Sequence, residues 1–351
     1  SFAEIFGAYG WSEDLAMMKW HTDHAIVRGI NRLVPHAFSP KYPDPDCPPH
    51  FFARGRNAQW KYFPIWREYA DLLCSLHSGG TAVSPAAVLY HAETEWQDSD
   101  CIKCEAVMKR LIRQQIDPVI VPLDKLENAA VSGGICTIGN TAFRTLFVSG
   151  FELIPQSGKN IIDSLEKKGL KICRVTKENI EVAVSADNNR ECIDFSVEEP
   201  APFLAVRHFR TAKTESYFLV NESLKHGIKS RILSDVKDFL WFDPLQKTQR
   251  KPSEILELYP GESLLLLRGE IPDSLKNAVM EESFQPDECV QKIKSNEFEV
   301  ICNGIIQKTL PSETFAGTAI FRHSIAVPGT QIQIRFPAVT GHAVVEICVN
   351  G

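Results

Sequence analysis

The chain has 351 residues, 44% of them hydrophobic and 23% charged, with a formal net charge of −6 and no basic run. That length calls for two or three domains rather than one core, and the charge makes nucleic acid and anionic membrane surfaces poor partners. No apolar stretch approaches the ~20 residues that span a bilayer, and SFAEIFGAYG lacks the basic and apolar regions of a signal peptide.

Residues 1–80 read as strand, helix, strand, long loop, helix. After the strand SFAEIF, Ser12 can cap a helix whose first turn carries Glu13 and Asp14, favourable near the positive end of the dipole. Leu15, Met18, Ala25 and Ile26 lie on one face of it and Gly29 stops it. INRLVP (30–35) reads as a short buried strand. SPKYPDPDCPPHFFARGRNAQW (39–60) holds five prolines, and loops of that length inside compact domains are often functional. PIWREYADLLCSLHSGG (64–80) is a helix closed by glycine. This order is the grammar of a parallel α/β barrel or sheet.

Residues 81–200 alternate strand and helix. AAVLYHA (86–92) has no polar alternation and should be buried on both faces. CIKCEAVMKRLIRQQ (101–115) is a helix, DPVIVP (117–122) and FRTLFVSG (143–150) are strands, SGKNIIDSLEKKG (157–169) is a helix capped by Ser157, and LKICRV (170–175) is a strand. The pattern predicts a small doubly wound domain.

Residues 201–351 carry short strands separated by turns: FLAVRHFR, ESYFLVN, SRILSDV, SLLLLRG, FEVICN, TAIFRHSIAV, QIQIRFP and AVVEICVN. That spacing predicts antiparallel sandwiches, two of them meeting within 270–290, with PDSLKNAVMEE (272–282) as a linking helix. The chain begins in what reads as the end of a buried strand and stops at Asn-Gly, a usual hairpin turn. Both ends are therefore expected to be interior cuts.

Several residues could carry chemistry. Glu4, if SFAEIF is a strand, lies near its carboxyl end, where barrel enzymes keep their functional groups; a capping or surface glutamate is the plainer reading. His36, Phe38 and Ser39 follow INRLVP, and His50, Phe51 and Arg54 follow in the proline loop. Tyr9, Trp11, Phe51 and Trp60 offer aromatic faces of the kind that pack against sugar C–H surfaces. A rigid proline loop with satisfied histidines would look the same. His21 and His24 share a helix face, but no further ligand suggests a metal, and they read as solvated.

Cys101 and Cys104 form a lone CxxC without the usual filling of a redox motif. GGICTIGN (133–140) resembles a nucleophile turn built on Cys136, with the wrong spacing and no His/Glu pair downstream, and it reads as structural. His91, Glu93, Glu95 and Trp96 follow a parallel strand at the edge where α/β ligands bind; a capped strand end is preferred. There is no phosphate-binding glycine motif. The ten cysteines are spread evenly, several within apolar runs, which suits a reducing cytoplasm better than a disulfide framework.

Taken together, SFAEIFGAYGW, MKWHTDHAIVRGINRLVPHAFS, DCPPHFFARGRN, YADLLCSLHSGG and AAVLYHAETEW resemble large bacterial glycoside hydrolases of the alpha-L-rhamnosidase and beta-galactosidase-like kind. FAGTAIFRHSIAV and AVVEICVNG are similar to the jelly-roll sugar-binding domain of the same enzymes. The resemblance is specific over 1–96 and looser over 200–351. It implies a multidomain α/β plus all-β chain: the end of a (β/α)8 barrel at 1–80, a flavodoxin-like domain at 81–200, a β-sandwich at 201–270 and a partial jelly roll at 271–351.

It further implies that Glu4 is the nucleophile or base of a carboxylate pair. Tyr9, Trp11, His36, Ser39, His50 and Arg54 would then contact a carbohydrate, with no cofactor or metal. Self-association would run through the flavodoxin-like domain, and the location would be cytoplasmic. The general acid of such barrels comes from an earlier strand, absent here, so 351 residues alone would be inactive. The rival readings are a non-catalytic carbohydrate-binding or assembly fragment and an amidotransferase-like hydrolase using Cys136.

Overall fold

A computed structural model describes residues 1–97, 101–280, 298–302, 305–307 and 319–324. The expected strands QIQIRFP and AVVEICVN lie outside these residues, as does most of the expected jelly roll.

The first 80 residues follow the expected order: β1 (Phe2–Ile5), α1 (Leu15–Val27), β2 (Arg32–Pro35) and α2 (Phe63–Leu76). β1 and β2 are parallel, with Glu4 opposite Val34. Side chains alternate across a strand pair, so Ala3, Ile5 and Leu33 point one way, into a core with Met18, Phe51, Phe63, Trp66 and Ala70. Phe2, Glu4, Arg32 and Val34 point the other way and are exposed, Phe2 at 72% and Val34 at 49%. The expected buried strand is thus covered on one face only. α1 is capped by Asp14, which accepts from the Met17 N–H at 2.8 Å, not by Ser12.

The next segment gives β3 (Thr81–Ala82), β4 (Ala86–Tyr90), α3 (Ala92–Gln97), α4 (Cys104–Ile112), β5 (Pro118–Pro122), a meander β6 (Ala130–Ser132), β7 (Ile135–Ile138) and β8 (Thr141–Phe143), then β9 (Thr145–Ser149), α5 (Gln156–Lys167), β10 (Lys171–Val175) and α6 (Ile180–Ala183). A parallel sheet runs β10-β9-β4-β5. Ala86 and Val88 pack with Val107 and Leu111 of α4, while Ala87 and Leu89 pack with Ile162 and Leu165 of α5. β4 is therefore buried on both faces, as its unbroken apolar run requires. The meander was not expected; Gly133 and Gly134, both left-handed, form its first turn. The N-cap position of α5 is Pro155, not Ser157.

The chain continues with β11 (Leu204–Arg210), β12 (Thr214–Asn221), β13 (Ile228–Arg231), β14 (Leu240–Asp243), β15 (Thr248–Arg250), β16 (Ile255–Leu258), β17 (Ser263–Gly269), β18 (Glu299–Cys302), β19 (Ile305–Gln307) and β20 (Ala319–Arg322). The central sheet has the order β15-β14-β17-β12-β11-β3, and β13 pairs with β16. One face of the sheet, with Leu219, Trp241 and Leu266, packs on β13 and β16 through Ile228, Leu256 and Leu258. The other face, with Phe218, Val220, Leu265 and Leu267, packs on α1 and α2 through Ile26, Val27, Tyr69 and Leu73. The 201–270 strands thus share one core with the helices of 1–80, and β3 adds to the sheet beside β11. The expected linking helix from 272 is, over its described part, a 3₁₀ turn at Asp273–Leu275.

Candidate functional site

Glu4 sits at the third position of β1, exposed, near the carboxyl end of the parallel pair. The His36 N–H continues the pairing to the Ile5 carbonyl at 2.9 Å. Both side chains border Gly7: a Cβ there would lie 3.5 Å from Glu4 Oε1 and 3.9 Å from His36 Cβ and Cγ. Gly7 was not singled out in the sequence, and nothing in its neighbours marks it. The His36 Nδ1 is buried and has no hydrogen-bond partner among the described residues.

Beyond Glu4 the chain turns sharply. Phe6, Ala8 and Gly10 have φ of 73°, 59° and 86°, left-handed values that non-glycine residues hold only when the surroundings over-determine them. Phe6 is the anchor, fully buried against Phe51 and Trp66. The Gly10 N–H donates to the Pro48 carbonyl at 3.0 Å, and the Ala37 N–H donates to Pro49 at 3.2 Å. These bonds lace the 6–12 loop and the proline loop into one rim at the carboxyl ends of β1 and β2.

On that rim Tyr9 and Trp11 are half-exposed, at 50% and 51%. The Tyr9 ring lies 4.8 Å from His21, and His21 Nδ1 lies 2.9 Å from the buried Glu13 carboxylate. Trp11 meets His50 edge to face at 5.5 Å. His50 is only 2% exposed, so it stands behind Trp11 rather than at the surface. Ser39 is also buried; its hydroxyl donates to Asp44 and accepts from the Lys41 N–H at 3.1 Å. That bond holds the Asp44 carboxyl below the usual range. Ser39 therefore shapes the loop.

Arg54 is exposed on the turn Ala53–Gly55 with φ of 53°. Among the described residues no hydrogen bond ties it to Glu4, His36, Tyr9 or Trp11. Phe38 is exposed at 47% and packs on Phe51, Trp60 and Phe63.

The other candidates resolve as structure. His21 and His24 keep part of their surface in solvent, His24 with 43% of its side chain exposed, but each is paired: His21 with Glu13, and His24 with Glu222 at 2.8 Å. Arg28 also grips Glu222; burial pushes that carboxyl up, but His24 and Arg28 outweigh it and bring it down to about 2. No cluster of His, Cys, Asp and Glu suited to a metal occurs among the described residues. Cys136 is fully buried in β7, and burial pushes its thiol up to about 11, the reverse of what a nucleophile needs. His91 Nε2 donates to the Ser149 carbonyl at 2.8 Å, and the ring also meets the Thr94 hydroxyl, a satisfied strand end. The described cysteines are all free thiols.

The chain is similar in structure to a rhamnosidase from Novosphingobium sp. PP1Y, with a TM-score of 0.59 and 14% identity over 85% of this chain and 33% of that one. The fold is glycoside hydrolase-like. It is also similar to the beta-galactosidases from Rahnella sp. R3 (TM-score 0.54, 8% identity, 76% of this chain, 53% of that one) and Bacillus circulans sp. alkalophilus (0.52, 7%, 72% and 52%). The chain thus spans between a third and about half of each of these enzymes. No protein-family model and no curated protein matches it. Among the described residues no helix is long and apolar enough to cross a membrane.

Proposed function

We propose that the chain forms the later part of a glycosidase and that Glu4 is one carboxylate of its catalytic pair, acting as nucleophile or base. The observation that carries this reading is the placing of Glu4: exposed, near the carboxyl end of a parallel strand, with the His36 ring beside it across Gly7. Parallel strands are normally covered on both faces. Here the face bearing Phe2, Glu4, Arg32 and Val34 is open, as the inner wall of a barrel would be before its remaining strands are added. β1, α1, β2 and α2 are then the last two βα units of a (β/α)8 barrel.

The sheet order β10-β9-β4-β5 supports a flavodoxin-like unit over 81–200. The central sheet with β13 and β16 is the sandwich. The substrate is a carbohydrate. Tyr9, Trp11 and His36 would face it, Ser39 and His50 would support the rim, and Arg54 would reach in from the proline loop.

Glycoside hydrolysis needs a second carboxyl, ~5–5.5 Å away for retention or ~6.5–9.5 Å for inversion. We assign that partner to a strand that these 351 residues do not contain, so the chain by itself should be inactive. The test is covalent trapping in the whole protein with 2-deoxy-2-fluoro glycosides of the sugar it turns over. A mass adduct on the peptide holding Glu4 identifies the nucleophile. An adduct on another carboxylate removes Glu4 from that role and leaves the base, to be tested by substitution.

A further inference from the structure

The open face of β1 and β2 carries one anion and one cation. The parallel register sets Glu4 opposite Val34 and Phe2 opposite Arg32. Side chains alternate along each strand, so Phe2, Glu4, Arg32 and Val34 share the face that α1 and α2 leave uncovered. His36 has the same parity just past β2, and it borders Gly7 together with Glu4. Among the described residues, Glu4, Arg32 and His36 are the charged or titratable groups that these two strands bring to that face. A rise of ~3.3 Å per residue and a strand spacing of ~4.8 Å put the Glu4 and Arg32 Cα atoms roughly 8 Å apart, a diagonal that a long side chain bridges.

Among the described residues neither Glu4 nor Arg32 takes part in an ion pair. In water little is lost by that, because exposed pairs are worth little. A closed barrel changes the balance. Arg32 would then stand between Phe2 and Val34 in a packed interior, where a cation without a counter-charge is strongly disfavoured. Arginine stays protonated throughout the working range and cannot shed its charge as a buried lysine can. The anion on its own face is Glu4.

We propose that Arg32 is a positioning residue: in the whole protein its guanidinium pairs with the Glu4 carboxylate from the layer beneath and holds it ionised, facing the barrel mouth. This rests on the reading of Glu4 as a catalytic carboxylate and deepens it. A carboxylate held ionised serves as nucleophile or base, and the second carboxyl is then the acid. Arg32 acts through Glu4 and does not touch the sugar.

The experiment is the pH profile of kcat/KM for a nitrophenyl glycoside, measured on the whole protein and on its Arg32→Met, Arg32→Lys and Glu4→Gln variants. The acid limb reports the group that must be ionised. Arg32→Met should move that limb up by about one pH unit or more, the effect of removing an opposite charge, while KM at the optimum stays within about threefold. Arg32→Lys, which keeps the charge, should recover more than about half of the shift. Circular dichroism checks the fold, and Arg32→Gln carries the same prediction if the Met variant does not fold. An acid limb that stays in place in a folded Arg32→Met or Arg32→Gln protein overturns the inference and leaves Glu4 standing. A limb that moves as far with lysine as with methionine overturns it too, since charge is then not the cause. Turnover by Glu4→Gln at the parent's rate overturns the reading of Glu4 and this inference with it.

Discussion

The Lys19 ammonium lies 2.6 Å from the Asp23 carboxylate one turn further along α1, and it also reaches the Gly261 carbonyl at 2.9 Å and the Ser263 hydroxyl at 3.0 Å. Tyr69 of α2 donates to the same carboxylate. Both helices are thereby fastened to the central sheet by one nearly dry polar knot. Burial pushes the Asp23 carboxyl up, and Lys19 and Tyr69 pull against it. Removing one partner of a buried pair strands the other. Asp23→Ala should therefore cost ~3–5 kcal/mol in urea unfolding, and Lys19→Met with Asp23→Leu should cost less than that single change. An Asp23→Ala protein within ~1 kcal/mol of the parent would show that the knot contributes little.

His77 gives a prediction about acid. It ends α2, is 3% exposed, and packs between Phe209 and Phe218. Burial pushes its pKa down from 6.5 to about 4. The ring is neutral in the fold and takes a proton when unfolded below about 6.5, so its contribution is complete above that pH and is lost as pH falls toward 4. The loss amounts to ~3 kcal/mol. Asp117 works the other way. Burial raises it to about 6 against the pull of Arg207, so its part of the stability grows as pH falls from about 6 to 3.8. Comparing the parent with His77→Leu separates the two. The variant's stability relative to the parent should rise by ~3 kcal/mol between pH 7 and pH 4. Parallel pH curves would remove His77 as the cause.

The thiols should divide by burial. Cys47 is exposed, whereas Cys104, Cys136, Cys192 and Cys302 are buried. A thiol reagent should label Cys47 in the folded protein at once and reach Cys136 only on unfolding. Cys136→Ala should keep any glycosidase turnover. Rapid labelling of Cys136 in the folded state would revive the Cys136 nucleophile.

Much of the fold was legible because its signals are local. The unbroken run AAVLY announced a strand buried on both faces, and Gly29 and Gly169 announced helix ends; their φ of 92° and 98° show why. What depended on distant partners was not legible. LLLL in β17 is buried on both faces because α1 and α2 cover one of them, and no local pattern says which helices those are. The hydrophobic periodicity of α1 gave only part of its inward side: Met18 and Ile26 are buried as that face requires, but so are Thr22 and Asp23, polar residues that meet Trp66, Tyr69 and Lys19 across the core.

The site shows the same division. Glu4 lies near the carboxyl end of β1, where the sequence put it, and Tyr9 and Trp11 are half-exposed in the loop that follows. His50 and Ser39 look identical in sequence to surface ligands, but the proline loop turns them inward. Glu13 and His21 fall on either side of a helix start, eight residues apart, and only the fold brings them to 2.9 Å.

The central claim is that Glu4 does chemistry. The most direct measurement is kcat for a nitrophenyl glycoside in the whole protein and in its Glu4→Gln variant, with sugar affinity measured alongside. The account predicts that kcat falls by at least ~10²–10⁴-fold, the range lost with a positioned acid, base or nucleophile, while affinity stays within about threefold. A variant that turns over like the parent would contradict it, and Glu4 would then be a surface residue at the end of a packing strand.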